Sequence, residues 1–251
     1  MEYSGPPQGD VPVPAPIARC AEGRPVAAVW VNNRGGVAFR IGGDGADSGD
    51  SGDGAELYAK WAPAGTELDL AAEAERLAWA VRHTRVPRPV AHGADEDGAW
   101  LVTEALPGLS AVSDRWRADP ATAVRAMGEG LRALHERLPV GDCPFTWSVE
   151  ERRKAPDVPA DLPEPPPHDR LVVCHGDACA PNTLLDDDGR WFAHVDFGAM
   201  GVADRWADLA IGSWNLDWNF GPGWEGAYFD AYGITPDPER LAYYRALGGV
   251  A

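Results

Sequence analysis

The chain has 251 residues, with 22 Lys and Arg against 39 Asp and Glu, for a formal net charge of −17 at pH 7. That length can bury a substantial core, as one bilobal unit or two small domains. The acidic balance disfavours a nucleic-acid backbone as partner and suits a cationic ligand, although acidity also serves solubility alone.

No apolar run approaches the roughly 18 residues that a bilayer span needs, so no membrane partner is expected. The amino terminus, MEYSGPPQGD, lacks a basic region followed by an apolar one. Four cysteines (Cys20, Cys143, Cys174 and Cys179) show no CxxC spacing and read as small buried residues, which fits a reducing cytoplasm. Residues 1–24 are rich in Pro and Gly without a period and read as a flexible tail.

From Pro25 the character changes. Val26–Val31 and Val37–Ile41 read as strands around Asn32-Asn33-Arg34-Gly35-Gly36, a hairpin turn by composition. Adjacent glycines let backbone amides approach phosphate oxygens, so Gly35 and Gly36 are candidates for a nucleotide lid, with an ordinary hairpin turn as the alternative. Gly42–Gly54 holds six glycines and four aspartates in 13 residues, off the register of a calcium loop, and reads as a solvated hairpin extension. Glu56–Ala62 alternates as a strand with Lys60 in its middle. A helix follows, from Glu67 or Asp69 to His83, burying Leu70, Ala74, Leu77, Ala78 and Val81. Val86–Val90 and Ala99–Glu104 read as strands joined by HGADEDG, and Leu106-Pro107-Gly108 breaks the pattern. Asp119-Pro120 supplies an N-cap and a first-turn proline for a helix to about Leu138, with Val124, Met127, Leu131 and Leu134 inward. Residues 149–170 hold six prolines and exclude regular structure beyond a first turn.

The chemistry concentrates at Leu171–Gly198, LVVCHGDACAPNTLLDDDGRWFAHVDFG. An apolar strand, Leu171–Cys174, delivers His175-Gly176-Asp177, with Asn182 five residues after the aspartate. A hairpin around Asp186–Gly189 leads into Trp191–Val195 and then Asp196-Phe197-Gly198. Phosphoryl transfer needs a carboxylate to orient and accept the proton of an attacking hydroxyl, a role that suits Asp177. It also needs oxygen ligands for magnesium, which suits Asn182 and Asp196. A loop whose Asp and Asn merely satisfy backbone groups is the plainer alternative, and three elements at ordered spacing argue against it.

These motifs resemble the catalytic and metal motifs of the protein-kinase-like fold. The HGD form, with GAMGVADRWADLA at Gly198–Ala210 and YGITPDPERLAYYRAL at Tyr232–Leu247, is similar to the aminoglycoside 3′- and 3″-phosphotransferases over roughly residues 25–247. The resemblance implies an α/β, bilobal kinase-like fold: residues 25–104 as a β-rich nucleotide lobe and 105–251 as a mainly helical catalytic and acceptor lobe. It implies ATP or GTP with Mg²⁺ and a small-molecule acceptor, most simply an aminoglycoside. By the same likeness Lys60 pairs with a helix glutamate against the α- and β-phosphates. Glu73 and Glu75 compete, and Trp79 aligned to the family's tryptophan selects Glu73. Thr103–Ala105 corresponds to the hinge that reads the purine, and Asp208 to an aspartate that braces the catalytic loop.

The acceptor side departs from the family. The interval after Cys143-Pro144-Phe145 is short, the acidic terminal residues are replaced by Gly248-Gly249-Val250-Ala251, and Ala199 stands where many relatives carry Arg. Remaining candidates for ligand amines are Asp204, Asp217 and Glu225, beside Trp214 and Trp218, which read either as core or as an aromatic wall. Kinases of other hydroxylated metabolites, and a nucleotide-binding module without catalysis, are the competing functions.

Overall fold

The computed structural model describes residues 4–42 and 55–250. Apart from Gly42, the low-complexity stretch 42–54 lies outside the described residues. Contacts divide the chain into two compact units, Met1–Val81 with Pro87–Leu106, and Arg82–Val86 with Pro107–Ala251.

The first unit is an antiparallel sheet in the order β1-β2-β3-β5-β4. Its strands are β1 (Val26–Val31), β2 (Val37–Ile41), β3 (Leu57–Pro63), β4 (Pro89–Ala94) and β5 (Gly98–Glu104). β3 follows the two-residue alternation of a strand: Leu57, Ala59 and Trp61 are buried, while Tyr58 is exposed and Lys60 half-buried on the opposite face. β4 begins at Pro89 rather than Val86, because Pro87 and Pro89 bring no amide to a ladder.

Residues 4–24 are not the flexible tail that composition suggests. α1 (Ala15–Ala21) buries Ile17 and Ala21 in one cluster with Phe39, Ile41, Leu57, Ala59, Trp61 and Val102. Gly5 pairs with Val31 by two backbone hydrogen bonds. A seven-residue helix is too short to display a period, yet its few apolar side chains cover a sheet face that would otherwise be wet. α2 (Leu70–Ala80), capped by the Asp69 carboxylate on the Ala72 amide, packs against β4 and β5. It buries Leu70, Ala74 and Leu77 as expected, but Ala78 faces solvent and Trp79 and Ala80 are buried instead.

In the second unit eight segments precede the last three helices, with α4 at their centre. These are β6 (Leu109–Ser110), α3 (Asp114–Arg117), α4 (Pro120–Arg137), α5 (Val149–Arg152), β7 (Leu171–Cys174), β8 (Thr183–Leu185), β9 (Trp191–His194) and β10 (Gly201–Asp204). Three helices then follow, α6 (Trp206–Phe220), α7 (Glu225–Tyr232) and α8 (Pro238–Leu247). On α4 the four predicted side chains, Val124, Met127, Leu131 and Leu134, are each at most 2% exposed and pack towards α7, β7 and β9. Each such burial stabilises by about 1.5–3 kcal/mol, and Leu131→Ala would cost roughly 2–5 kcal/mol. The proline-rich interval forms a single turn, α5, and then runs irregularly, held where the Arg153 guanidinium donates to the carbonyls of Leu162 and Pro163. β7 pairs with β10, and β6-β8-β9 form a small antiparallel sheet. No described helix is long and apolar enough to cross a membrane.

Candidate active site

In the first unit, Lys60 sits in mid-strand between Ala38 on β2 and Leu101 on β5. Its Nζ lies 2.7 Å from Glu73 Oε1. Glu73 is buried and Glu75 exposed, so burial selects Glu73. The lysine keeps about a third of its surface in solvent, which leaves a held but accessible ammonium.

The four other candidates in this unit, Gly35, Gly36, Thr103 and Ala105, are engaged by their own surroundings. The amides of Arg34 and Gly36 donate to Asn32 Oδ1, and that of Gly35 donates to the Asn32 carbonyl. An amide that already donates offers nothing to a phosphate. Thr103 is buried in the ladder between Tyr58 and Pro89, and the Ala105 amide donates to the Glu56 carbonyl.

In the second unit, β7 leads directly into His175, which is fully buried. Its Nε2 lies 2.9 Å from the Val195 carbonyl, and Nδ1 accepts the Asp177 amide at 3.2 Å. This pattern places the imidazole proton on Nε2. The ring therefore ties Asp177 to the strand end that precedes Asp196. Gly176 has φ +86° and its missing Cβ would meet the Ala199 carbonyl, so only glycine fits. That contact explains HGD rather than a bulkier middle residue.

Asn182 folds back on the loop. Its Nδ2 donates to the Asp177 carbonyl at 3.0 Å and to Asp177 Oδ2 at 3.1 Å, while Oδ1 has no partner among the described residues. The β8–β9 hairpin brings Val195 to the Asn182 carbonyl, and Asp196 follows in the left-handed region at φ +67°. Aspartate tolerates that conformation better than most residues, and strained backbone of this kind concentrates at functional sites. Phe197 is fully buried against the His175 ring at 4.7 Å.

The two carboxylates sense each other. The Asp177 carboxyl is pushed above its usual range, first by desolvation and then by the negative charge of Asp196, against opposing pulls from His175, Cys179 and Asn182. Protein atoms surround Asp177 closely, yet its side chain keeps solvent-accessible surface, and water tempers that push. A basic carboxylate, a free amide oxygen and a second carboxylate form a hard oxygen donor set of the kind that suits magnesium.

The acceptor candidates separate. Asp204 is not available to a ligand: it ends β10 rather than opening a helix and is 1% exposed. Its carboxylate accepts the Asp169 and Trp206 amides and pairs with Arg240. Glu225 is paired with Arg245 at 2.6 Å. Asp217 is exposed, as are Trp214 and Trp218, the last at 67%, so these tryptophans are not core.

Sequence reading missed what holds this face in place. Asn215 Oδ1 accepts the Ala180 amide at 2.8 Å, which fastens α6 to the turn between Asp177 and Asn182. Ser110 Oγ donates to the Pro181 carbonyl. The available signal was an amide at Asn215 and another at Asn219, one turn apart on α6; the two hydrogen-bond each other. Asp208 braces the loop as the resemblance implied, accepting the His175 amide at 2.6 Å and the Gly176 amide at 2.8 Å.

The family model described as the phosphotransferase enzyme family matches residues 48–157 and 149–244. An aminoglycoside 3′-phosphotransferase of Streptomyces fradiae is 40% identical over 228 residues, covering 76% of this chain and 84% of that relative. The crystal structure of an aminoglycoside-3′-phosphotransferase of type VIII superposes with a TM-score of 0.70 at 32% identity, covering 91% of this chain and 94% of the other. An aminoglycoside phosphotransferase, APH(3″)-Id, from Streptomyces rimosus, solved in complex with ADP and streptomycin, gives a TM-score of 0.63 at 27% identity over 85% and 90%. The α/β kinase-like fold class expected from sequence holds, with the sheet in the first unit and most helices in the second. The chain belongs to the phosphotransferase enzyme family.

Proposed function

We propose that this protein transfers the γ-phosphoryl group of ATP or GTP to a hydroxyl of an aminoglycoside. The observation that carries this reading is the loop holding Asp177 beside Asn182 and the strand end of Asp196. Asp177 orients the acceptor hydroxyl and takes its proton, a task helped by a raised carboxyl pKa. Asn182 Oδ1 and the Asp196 carboxylate would hold magnesium, which when bound neutralises triphosphate charge. Lys60, oriented by Glu73, offers its ammonium to the α- and β-phosphates. The purine is read by carbonyls of Thr103–Ala105 rather than by the Ala105 amide, which Glu56 holds. Gly35 and Gly36 reach phosphate only if the Asn32 cap releases their amides.

The acceptor rests on the exposed turn of α6 that carries Trp214, Asp217 and Trp218, anchored to the catalytic loop through Asn215. Flat rings suit the faces of a sugar, and Asp217 pairs with a ligand amine. Glu225 contributes less, because Arg245 already neutralises it. An ATP-dependent reaction fits a cytoplasmic location.

The test is incubation with MgATP or MgGTP over a panel of aminoglycosides, following ADP or GDP release and the mass of the product. Stoichiometric phosphorylation of a panel member supports the reading. Tight MgATP binding without transfer to any acceptor would instead identify a nucleotide-binding module.

A further inference from the structure

Beneath the catalytic loop lies a file of buried polar groups that the reaction as described does not use. His135, on α4, is buried among α6, α7 and β7. Its Nε2 is 3.0 Å from Asp208 Oδ2, and its Nδ1 is 2.8 Å from the Tyr232 hydroxyl. Asp208 also receives the amides of His175 and Gly176, the two residues immediately before Asp177.

The directions of these bonds follow from donor chemistry. A carboxylate that takes two backbone amides can only accept, so the imidazole must donate through Nε2. The other nitrogen, Nδ1, shares a second hydrogen bond with the Tyr232 hydroxyl. Arg205 lies against that hydroxyl. The file therefore runs unbroken from Arg205 to the catalytic loop. Arg205 is itself pinned by Asp169 at 2.6 Å.

The same residues do not make a metal site. The ligand atoms of His135, Cys174 and Asp208 lie within 4.8 Å of one another. Both imidazole nitrogens are engaged, however, and the Cys174 thiol donates to the Asp204 carbonyl, with burial holding it protonated.

We propose that His135 and Tyr232 are positioning residues for phosphoryl transfer, holding the Asp177 loop through Asp208. An apolar pair would fill this volume at lower desolvation cost. What polar groups add is direction: they fix which way the Asp208 carboxylate faces, and so where the amides of His175 and Gly176, and then Asp177, are held. Small displacements of a reacting group are costly in rate and nearly silent in ground-state binding.

The inference rests on the phosphotransfer reading, and its test separates the two. Wild-type transfer to the best acceptor is measured first; its absence overturns the function but not the positioning argument, which hydrogen exchange reads without turnover. Tyr232→Phe removes one hydroxyl and keeps the ring. His135→Gln retains an amide able to donate to Asp208, and His135→Ala retains nothing.

Expected is a fall in kcat of roughly tenfold to hundredfold for His135→Ala, less for His135→Gln and for Tyr232→Phe. KM for ATP and acceptor should stay within about twofold, because no binding group is touched. Exchange of the His175, Gly176 and Asp177 amides should rise in the same order. If His135→Ala fails to fold, Tyr232→Phe and His135→Gln decide the matter. Unchanged kcat and unchanged loop exchange in those two variants, with only a lower melting temperature, would reduce the file to packing and overturn the proposal.

Discussion

Replacing Asp208 by Asn changes no volume and removes one charge, which makes the loss calculable. In the native arrangement Oδ1 accepts the Gly176 amide at 2.8 Å, while Oδ2 accepts the His175 amide at 2.6 Å and faces His135 Nε2. The asparagine amide group must replace one oxygen. His135 can answer by moving its proton to Nδ1, but a backbone amide cannot. Either orientation therefore sets at least one buried N–H against an NH₂. Losing a hydrogen bond to a charged acceptor costs about 1.5–3 kcal/mol, and an unsatisfied donor about 1–3 kcal/mol more. Relaxation recovers part of this, so the expected loss is roughly 2–5 kcal/mol, or about 5–20 °C in Tm for a chain of this size. Denaturant titration and thermal melts measure it.

The pH dependence gives a second handle on the same residue. Burial pushes the Asp208 carboxyl up, but His135, His175 and the Gly176 amide together hold it below its ordinary value. A depressed carboxyl contributes stability above the unfolded value of about 3.9 and loses it as pH falls through the folded value. The wild type should lose stability below about pH 4 more steeply than the Asn variant. A variant within about 1 kcal/mol of wild type at neutral pH, with the same acid slope, would refute the reasoning.

Other expectations concern the chemistry. Asp177→Ala should lower kcat by roughly 10²–10⁴ with nearly unchanged MgATP affinity; turnover within a few-fold of wild type would remove it from the role of base. Asp196→Asn should weaken nucleotide binding chiefly when magnesium is present, so calorimetry with and without the cation distinguishes a ligand from a bystander. Gly176→Ala forces a side chain into the left-handed region against the Ala199 carbonyl and should cost more than about 1 kcal/mol while also depressing kcat. For the acceptor, Asp217 is an exposed carboxylate, and exposed ion pairs contribute only about 0–1 kcal/mol each. KM for an aminoglycoside should therefore be high, rise with ionic strength and rise again in Asp217→Asn. A salt-independent KM, with a large loss on Trp218→Ala, would mean that a neutral hydroxylated ring is the true acceptor.

Much of this protein is written in local order along the chain. β1, β2 and β7 begin and end where alternation and turn residues put them, and α4 buries the four side chains its period selects. Strand, HGD, Asn182 and DFG follow one another closely enough that covalent proximity almost builds the catalytic loop. Short-range patterns of this kind survive in sequence because each residue's neighbours are also its physical surroundings.

Only the tertiary structure decided the rest. A helix hidden in a proline-rich segment and the withdrawal of Asp204 from the ligand side both depend on groups distant in sequence. So does the His135–Asp208 contact, which spans 73 residues. A carboxylate in the sequence is the same letter whether solvated, paired or buried. What distinguishes Asp177, Asp204, Asp208 and Asp217 is how much water each keeps and which donors reach it, and both are set by packing across the fold.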